Sequence, residues 1–263
     1  MLLRRITKHV KDQNWFAVGL DFFIVVAGIL IAFQITNWND GRIEQSRGKD
    51  YAVRLTDDLR ADLNARRDLL AYYDSVYAGA ERARDILIGA EPDDRELVVS
   101  AYRATEYLYS PQTRRTWDEV VAAGDIGLLP TSIDGELARY FSADVSFLSF
   151  GDLSASAYRE RVRRIIPHNV QQAIRNGCSD IDEDALGRIS GLNAQCNLDV
   201  TEAELYGAAS ALVSDPELLP DLRYQFSHLS IARNNMSTNI DQLERILAVL
   251  ESNAPSTTQR PDP

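Results

Sequence analysis

From Gln13 to Asn39 the chain carries one ionisable side chain, Asp21, at the head of the run DFFIVVAGILIAFQITNWN. A stretch this long and apolar has three destinations: lipid, a protein core, or a cleaved leader. Trp15 and Trp38 bracket it, and the helical steps between them rise about 35 Å, which matches a hydrocarbon layer of roughly 30 Å with its margins. A leader has a shorter apolar core, about 7–15 residues, closed by small residues. Here Phe33, Gln34 and Ile35 stand where those small residues belong. The sequence therefore predicts an uncleaved transmembrane helix over residues 15–38, with Trp15 and Trp38 as interfacial anchors.

Charge sets the expected orientation. Arg4, Arg5, Lys8 and Lys11 against Asp12 give the first fourteen residues +3. The whole chain carries −11, so with Asp21 set aside residues 22–263 carry −13. Positive flanks stay in the cytoplasm. The expectation is a basic cytoplasmic tip (1–14), a signal-anchor in the bacterial inner membrane (15–38) and a periplasmic domain (39–252). A polar, Pro-rich tail over 253–263 reads as disordered. An acidic body lacks the surplus of Lys and Arg that phosphate binding needs, which excludes nucleic acid as a partner class. The expected partners are the lipid bilayer and either a membrane protein or a second copy of the chain.

At about 100° per residue, Asp21, Val25, Gly28, Ala32 and Ile35 fall on one helical line, and Gly28 with Ala32 forms a small-xxx-small pair. Small residues admit a neighbouring helix, and an acid in lipid usually faces protein or water, so this face is a candidate helix–helix contact. The alternative is that Asp21, near the membrane edge, reaches the headgroups or is protonated.

The body reads as all-α, an irregular extracytoplasmic helical bundle. Leu55, Leu59, Leu63, Leu70, Val76 and Ala80 recur at helical spacing with Asp57, Asp58, Arg60, Asp62, Arg66 and Arg67 between them, and Gly41 or Gly48 is a possible bend. Further helices are predicted over 94–109, from a Thr116-x-x-Glu119 capping box to Gly124, and from Ser132 through Leu148. Others follow from about Leu153 to Arg175 with a kink at Pro167, from a Thr201-x-x-Glu204 box, and after Pro216 or Pro220. Residues 176–199 read as a loop, and the tyrosines at 72, 73, 77, 102, 107 and 109 as core and rim packing.

Two stretches together, VVAGILIAFQITNWND and TWDEVVAAGDIGLLPTSIDGELARYF, carry a resemblance. Asp21, Gly28, Ile29, Leu30, Ile31, Ala32, Gln34, Asn37, Trp38 and Asn39, then Thr116, Glu119, Gly124, Leu128, Leu137 and Tyr140, match a recurring pattern. It resembles a family of bacterial single-pass membrane proteins classified as a domain of unknown function. Departures are Asp for Glu at 21, Thr for Asn at 36, Trp for Tyr at 117, and Ala123 before Gly124. The resemblance implies a membrane location and a helical outer domain, and no activity.

Cys178 and Cys196 lie in the exported part, where oxidation is permitted; they are a candidate disulfide closing one loop, with free thiols as the alternative. Asp180, Asp182 and Asp184 mimic the start of an EF-hand, but Ala185 and Gly191 replace its glycine and its bidentate glutamate, so they read as solvated acids. Arg159, Arg161, Arg163 and Arg164 form a basic cluster. It reads as surface charge paired to nearby acids or as a contact for anionic headgroups or an acidic partner. With no phosphate loop, nucleophile elbow or metal spacing in the sequence, no cofactor or metal is expected. The leading expectation is a non-enzymatic interaction or accessory protein docked to a membrane or periplasmic complex. The alternative is a periplasmic ligand-sensing bundle that signals through a partner.

Overall fold

The structure, a computed structural model, describes residues 15–89, 93–178, 180–182, 189–192 and 196–252; the side chains of 15–18, 180–182, 190 and 192 lie outside that description. The expected cytoplasmic tip (1–14) and tail (253–263) fall outside the described residues. The chain divides into two compact units, Met1–Asp50 and Tyr51–Pro263.

Helix α1 spans Trp15–Leu87. Gly41 and Gly48 both sit within it, so neither ends the helix. The N-terminal unit is its first part. Of the described residues 19–50, only Val26, Ala27 and Gly48 escape full exposure.

Among the described residues the second unit is all-α apart from one short ribbon. Its remaining helices are α2 (Asp94–Arg103), α3 (Arg115–Ala123), α4 (Asp134–Ser142), α5 (Val145–Ser154), α6 (Ala157–Ile165), α7 (His168–Gly177), α8 (Glu202–Ser214) and α9 (Leu218–Ser252), with a 3₁₀ turn at Ile126–Leu128. The buried residues of α1 recur at alternating steps of three and four: Leu55, Leu59, Asp62, Arg66, Leu69, Tyr73, Val76, Ala80 and Ala83. Those of α9 do the same: Leu218, Leu222, Gln225, Leu229, Ala232, Met236, Asn239, Leu243, Ile246 and Leu250. This is the spacing of a coiled-coil seam. The two helices run antiparallel, because Arg60 pairs with Glu251, Arg67 with Glu244, Asp74 with Arg233, and the Tyr77 ring meets Phe226 edge-on.

The apolar interior falls into two clusters. One gathers Leu55, Leu59 and Leu63 of α1 with Trp117, Leu137, Tyr140, Leu243 and Ile246. The other gathers Leu69 to Ile86 of α1 with α2, Tyr158 and Val162 of α6, Val170 and Ile174 of α7, α8, and Leu218 to Met236 of α9. Polar residues interrupt the seam between them. Asp62 and Arg66 of α1 and Asn239 and Gln242 of α9 are all buried there.

Several predicted boundaries shift for tertiary reasons. Helix α2 ends at Arg103 rather than Tyr109. Gln225 donates to the Ala104 carbonyl at 2.9 Å and Arg159 to the Thr105 carbonyl at 2.7 Å, which satisfies acceptors that a continuing helix would have used. Thr116 lies inside α3, where its hydroxyl donates to Asp58, and Glu119 pairs with Arg54, so the expected capping box does not form. Gly124 ends α3 in the left-handed region, φ 74°. Ser132 caps nothing; α4 starts after Ile133. The predicted run to Leu148 is split by Asp144, whose carboxylate accepts from the Ser146 and Phe147 amides and starts α5. Helix α5 runs on through Gly151 and Asp152, between the two predicted helices. Pro167 separates two helices, α6 and α7, where the sequence predicts one kinked helix. Ile231 of α9 is half exposed. Thr201 and Glu204 form their capping box as read.

The loop expected over 176–199 contains an antiparallel ribbon of β1 (Asp180–Asp182) and β2 (Ile189–Leu192). Asp180 pairs with Leu192, Ile181 with Gly191 and Asp182 with Ile189, with a register shift after Ile181.

Candidate functional site

The face predicted for helix contact is assembled by α1. Asp21, Val25, Gly28, Ala32 and Ile35 lie in one continuous helix, so their spacing places them on one line, and all five are exposed. A Cβ added at Gly28 meets nothing within 4 Å, which leaves room for close approach of another helix. Around that face Phe22, Phe23, Leu30, Ile31 and Phe33 are exposed as well. An eighteen-residue window of this segment has a mean hydropathy of 2.1 and no buried residue, so the helix is long and apolar enough to cross a membrane. Trp38 is exposed, with the Arg42 guanidinium 5.0 Å from its ring centroid. The side chain of Trp15, its expected counterpart, lies outside the described residues.

In the second unit the polar interruption of the seam is a connected network. Both Asp62 oxygens accept from the Thr113 amide, at 2.9 and 3.1 Å, and Oδ2 also accepts from the Tyr140 hydroxyl at 2.7 Å. Arg66, fully buried, donates to the Ser110 carbonyl at 2.7 Å and lies 3.6 Å from Asp144. Tyr73 donates to the Leu108 carbonyl at 2.7 Å, and Gln112 to the Tyr140 carbonyl at 2.7 Å. Asp62, Arg66 and Tyr73 thus meet backbone polar groups of Thr113, Ser110 and Leu108, which lie outside any helix. Burial pushes the Tyr73 phenol up to about 12, and the nearby Arg66 charge opposes it. Burial raises Tyr140 further, as does the neighbouring Asp62 charge. The network holds the 108–113 segment, while Nε and Nη2 of Arg66 are buried without a hydrogen-bond partner among the described residues.

Sequence reading places Asp62 and Arg66 among the outward charges. The signal that identifies them is positional: each stands on the three-four line of buried residues, between Leu59 and Leu69.

The arginine cluster is internally committed. Arg159 holds the Thr105 carbonyl and covers the Tyr107 ring at 4.5 Å. Arg161 pairs with Asp215 and Asp221. Arg163 meets Glu106 at 3.0 Å, the Thr105 hydroxyl at 2.8 Å and the Tyr102 ring at 3.4 Å; burial pulls its pKa below the ordinary value, helped by the Arg159 charge and opposed by Glu106. Arg164 pairs with Glu160 one turn away. These contacts fit the paired-charge reading of the cluster.

Cys178 and Cys196 are joined, with Cα atoms 4.6 Å apart. The strands of chain meeting at this bond are tightly apposed. The Asn197 amide donates to the Gly177 carbonyl, and a Cβ at Gly177 would lie 2.0 Å from the Asn197 oxygen. Asp180 and Asp182 are in β1, and Asp184 lies outside the described residues. Among the described residues no group of His, Cys, Asp and Glu is placed to hold a metal ion.

No protein-family model, curated protein or solved structure matches the chain. The functional reading therefore rests on the chain's own residues.

Proposed function

We propose that this chain is a non-enzymatic, membrane-anchored interaction protein that docks its helical outer domain to a membrane or periplasmic complex. In this reading α1 anchors it in a bacterial inner membrane with the N-terminus cytoplasmic and the second unit periplasmic. The face of Asp21, Val25, Gly28, Ala32 and Ile35 meets a partner helix, either another membrane protein or a second copy. The observation that carries the proposal is the exposed apolar segment with mean hydropathy 2.1 and no buried residue, which requires an apolar environment that the chain's described residues do not provide. The basic flank, the small-residue line and the resemblance to single-pass membrane proteins support the same reading.

The test has two parts. Reporter enzymes fused after Ser252 are expected to be active only outside the cytoplasm; activity inside it would reverse the topology. Purification in mild detergent of the parent, Asp21→Leu and Gly28→Leu chains is expected to retain a stoichiometric partner or self-association in the parent and to lose it in the variants. Identical assemblies in all three would rule out this face.

A further inference from the structure

Helix α5 has its polarity inside out. Its buried residues are Ser146, Ser149 and Leu153, while those that stand exposed are Phe147, Leu148, Gly151 and Asp152. A helix on the surface of a domain ordinarily turns its apolar stripe inward and its polar side to water. Hydrogen bonds fix the serines where they are. Ser149 donates to the Val145 carbonyl at 3.0 Å and accepts from Asn235 of α9 at 3.1 Å, and Ser146 accepts from the Ser110 amide at 3.5 Å. Rotating the helix to bury its apolar residues would break those bonds, so Phe147 and Leu148 stay 55% and 57% exposed.

The exposed ring is part of a preformed platform. Phe147 lies 5.7 Å from the Tyr109 ring and 6.1 Å from Phe150, and Phe150 meets Tyr107 edge-on at 5.0 Å. Rings already held by one another lose little freedom when a partner covers them, which is the character of an interface anchor. Beside them the backbone is open, because a Cβ added at Gly151 meets nothing within 4 Å.

Charge decides what can cover this face. Asp152 is the one ionisable residue of α5, stands one turn from Leu148, and has no hydrogen bond or ion pair among the described residues. An anionic lipid surface or a second copy of the chain would each bring negative charge against Asp152 and a body that carries −13. A cationic partner is attracted instead. The one-turn spacing of apolar residue and acid along α5 is the spacing an amphipathic helix presents in return.

We infer that the exposed face of α5 docks a helix of a partner protein, which seats an apolar side chain on Phe147 and Leu148, passes close to Gly151, and sets a Lys or Arg on Asp152. This surface rests on the docking role proposed above. The anchor variants Asp21→Leu and Gly28→Leu do not touch it, so the two readings fail separately.

The test uses the full chain in phosphatidylcholine bilayer discs and two model peptides as probes: an amphipathic helix of leucine and arginine, and its leucine–glutamate counterpart. Anisotropy titrations at constant ionic strength are expected to show saturable binding of the leucine–arginine peptide, weakened about tenfold or more by Phe147→Ser and by Gly151→Gln. Gly151→Gln adds bulk without charge and replaces a poor helix former where there is space, so the fold keeps its stability. Asp152→Arg should turn the preference towards the leucine–glutamate peptide. Asp57→Arg, the same charge change at an exposed acid of α1, measures general attraction to the acidic body and should have little effect. The inference is overturned if the leucine–arginine peptide does not saturate, if neither Phe147→Ser nor Gly151→Gln weakens it, or if Asp57→Arg acts as strongly as Asp152→Arg. It is overturned as well if Phe147→Ser abolishes adhesion of the discs to phosphatidylglycerol vesicles or to one another, which would give the face to lipid or to a second copy.

Discussion

The Tyr140 hydroxyl donates to Asp62 Oδ2 at 2.7 Å across 78 residues of sequence, and both residues are buried. Asp62 is on the seam of α1 and Tyr140 on α4, so this bond ties the long helix to the cluster around Trp117 and Leu137. Tyr140→Phe removes the donor and leaves a buried carboxylate oxygen short of a partner. The expected loss is about 1.5–3 kcal/mol, the range for hydrogen bonds to charged groups. Asp62→Leu should be worse, because the Thr113 amide and the Tyr140 hydroxyl both lose their acceptor. Denaturant midpoints of the two variants check the order. A Tyr140→Phe chain as stable as the parent would show that water replaces the bond.

Burial also sets the alkaline behaviour. Tyr73 is pushed up to about 12 from an ordinary value of 10.0, and Tyr140 and Tyr158 are raised by burial as well. A phenol whose folded pKa is raised contributes stability in full below its unfolded value. That stability is lost as pH rises, because the unfolded chain gives up the proton first. Stability is therefore expected to fall from pH 10 towards about 12, with less loss in Tyr73→Phe. Ultraviolet phenolate titration checks this: part of the tyrosine signal should appear only with unfolding. A single titration step near the ordinary value would contradict these burials.

Features encoded within one helical turn were legible in the sequence. The Thr201–Glu204 box, the Gly124 stop and the apolar spacing of α1 and α9 depend on near neighbours and appear where the sequence places them. The exposed line through Gly28 is legible for the same reason, since helical periodicity alone defines it. The end of α2 was not legible, because Gln225, 121 residues away, and Arg159 decide it by taking the carbonyls of Ala104 and Thr105. Thr116 reads locally as a cap, yet Asp58 on another helix claims its hydroxyl. Asp62 and Arg66 mislead by chemistry: charge suggests an outward face, while position on the seam and distant partners bury them.

Gly177 lacks a side chain for a steric reason. Its position against Asn197 leaves a Cβ 2.0 Å from a backbone oxygen, which no rotamer change relieves. Gly177→Ala must shift the segment that carries Cys196, and a loss of about 1–3 kcal/mol is expected from such overpacking. Reduction of the Cys178–Cys196 bond should cost a comparable amount, about 3 kcal/mol by the loop-entropy account. Gly135→Ala is the control. It lies in α4 with nothing within 4 Å of the added methyl, and should be neutral or stabilising. Thermal midpoints of the three chains, each with and without reductant, check these values. Equal behaviour of Gly177→Ala and Gly135→Ala would show that the contact yields freely.

Glu204 joins two helices through one carboxylate. Oε2 accepts from the Thr201 amide at 2.8 Å and its hydroxyl at 2.7 Å, and Oε1 accepts from Asn169 of α7 at 2.6 Å. These bonds favour the ionised form, and the Thr201 amide is the largest cause of a pKa held below the ordinary 4.5. A carboxyl with a depressed folded pKa contributes stability in full above its unfolded value, and that contribution is lost as pH falls through the folded one. The thermal midpoints of the parent and Glu204→Gln chains should therefore differ at neutral pH and converge below about 4.5. The substitution keeps the side chain's length and a carbonyl oxygen for the cap, so the pH-dependent part of the gap isolates the charge. A gap that stays constant down to acid pH would assign the whole effect to hydrogen-bond geometry and none to ionisation.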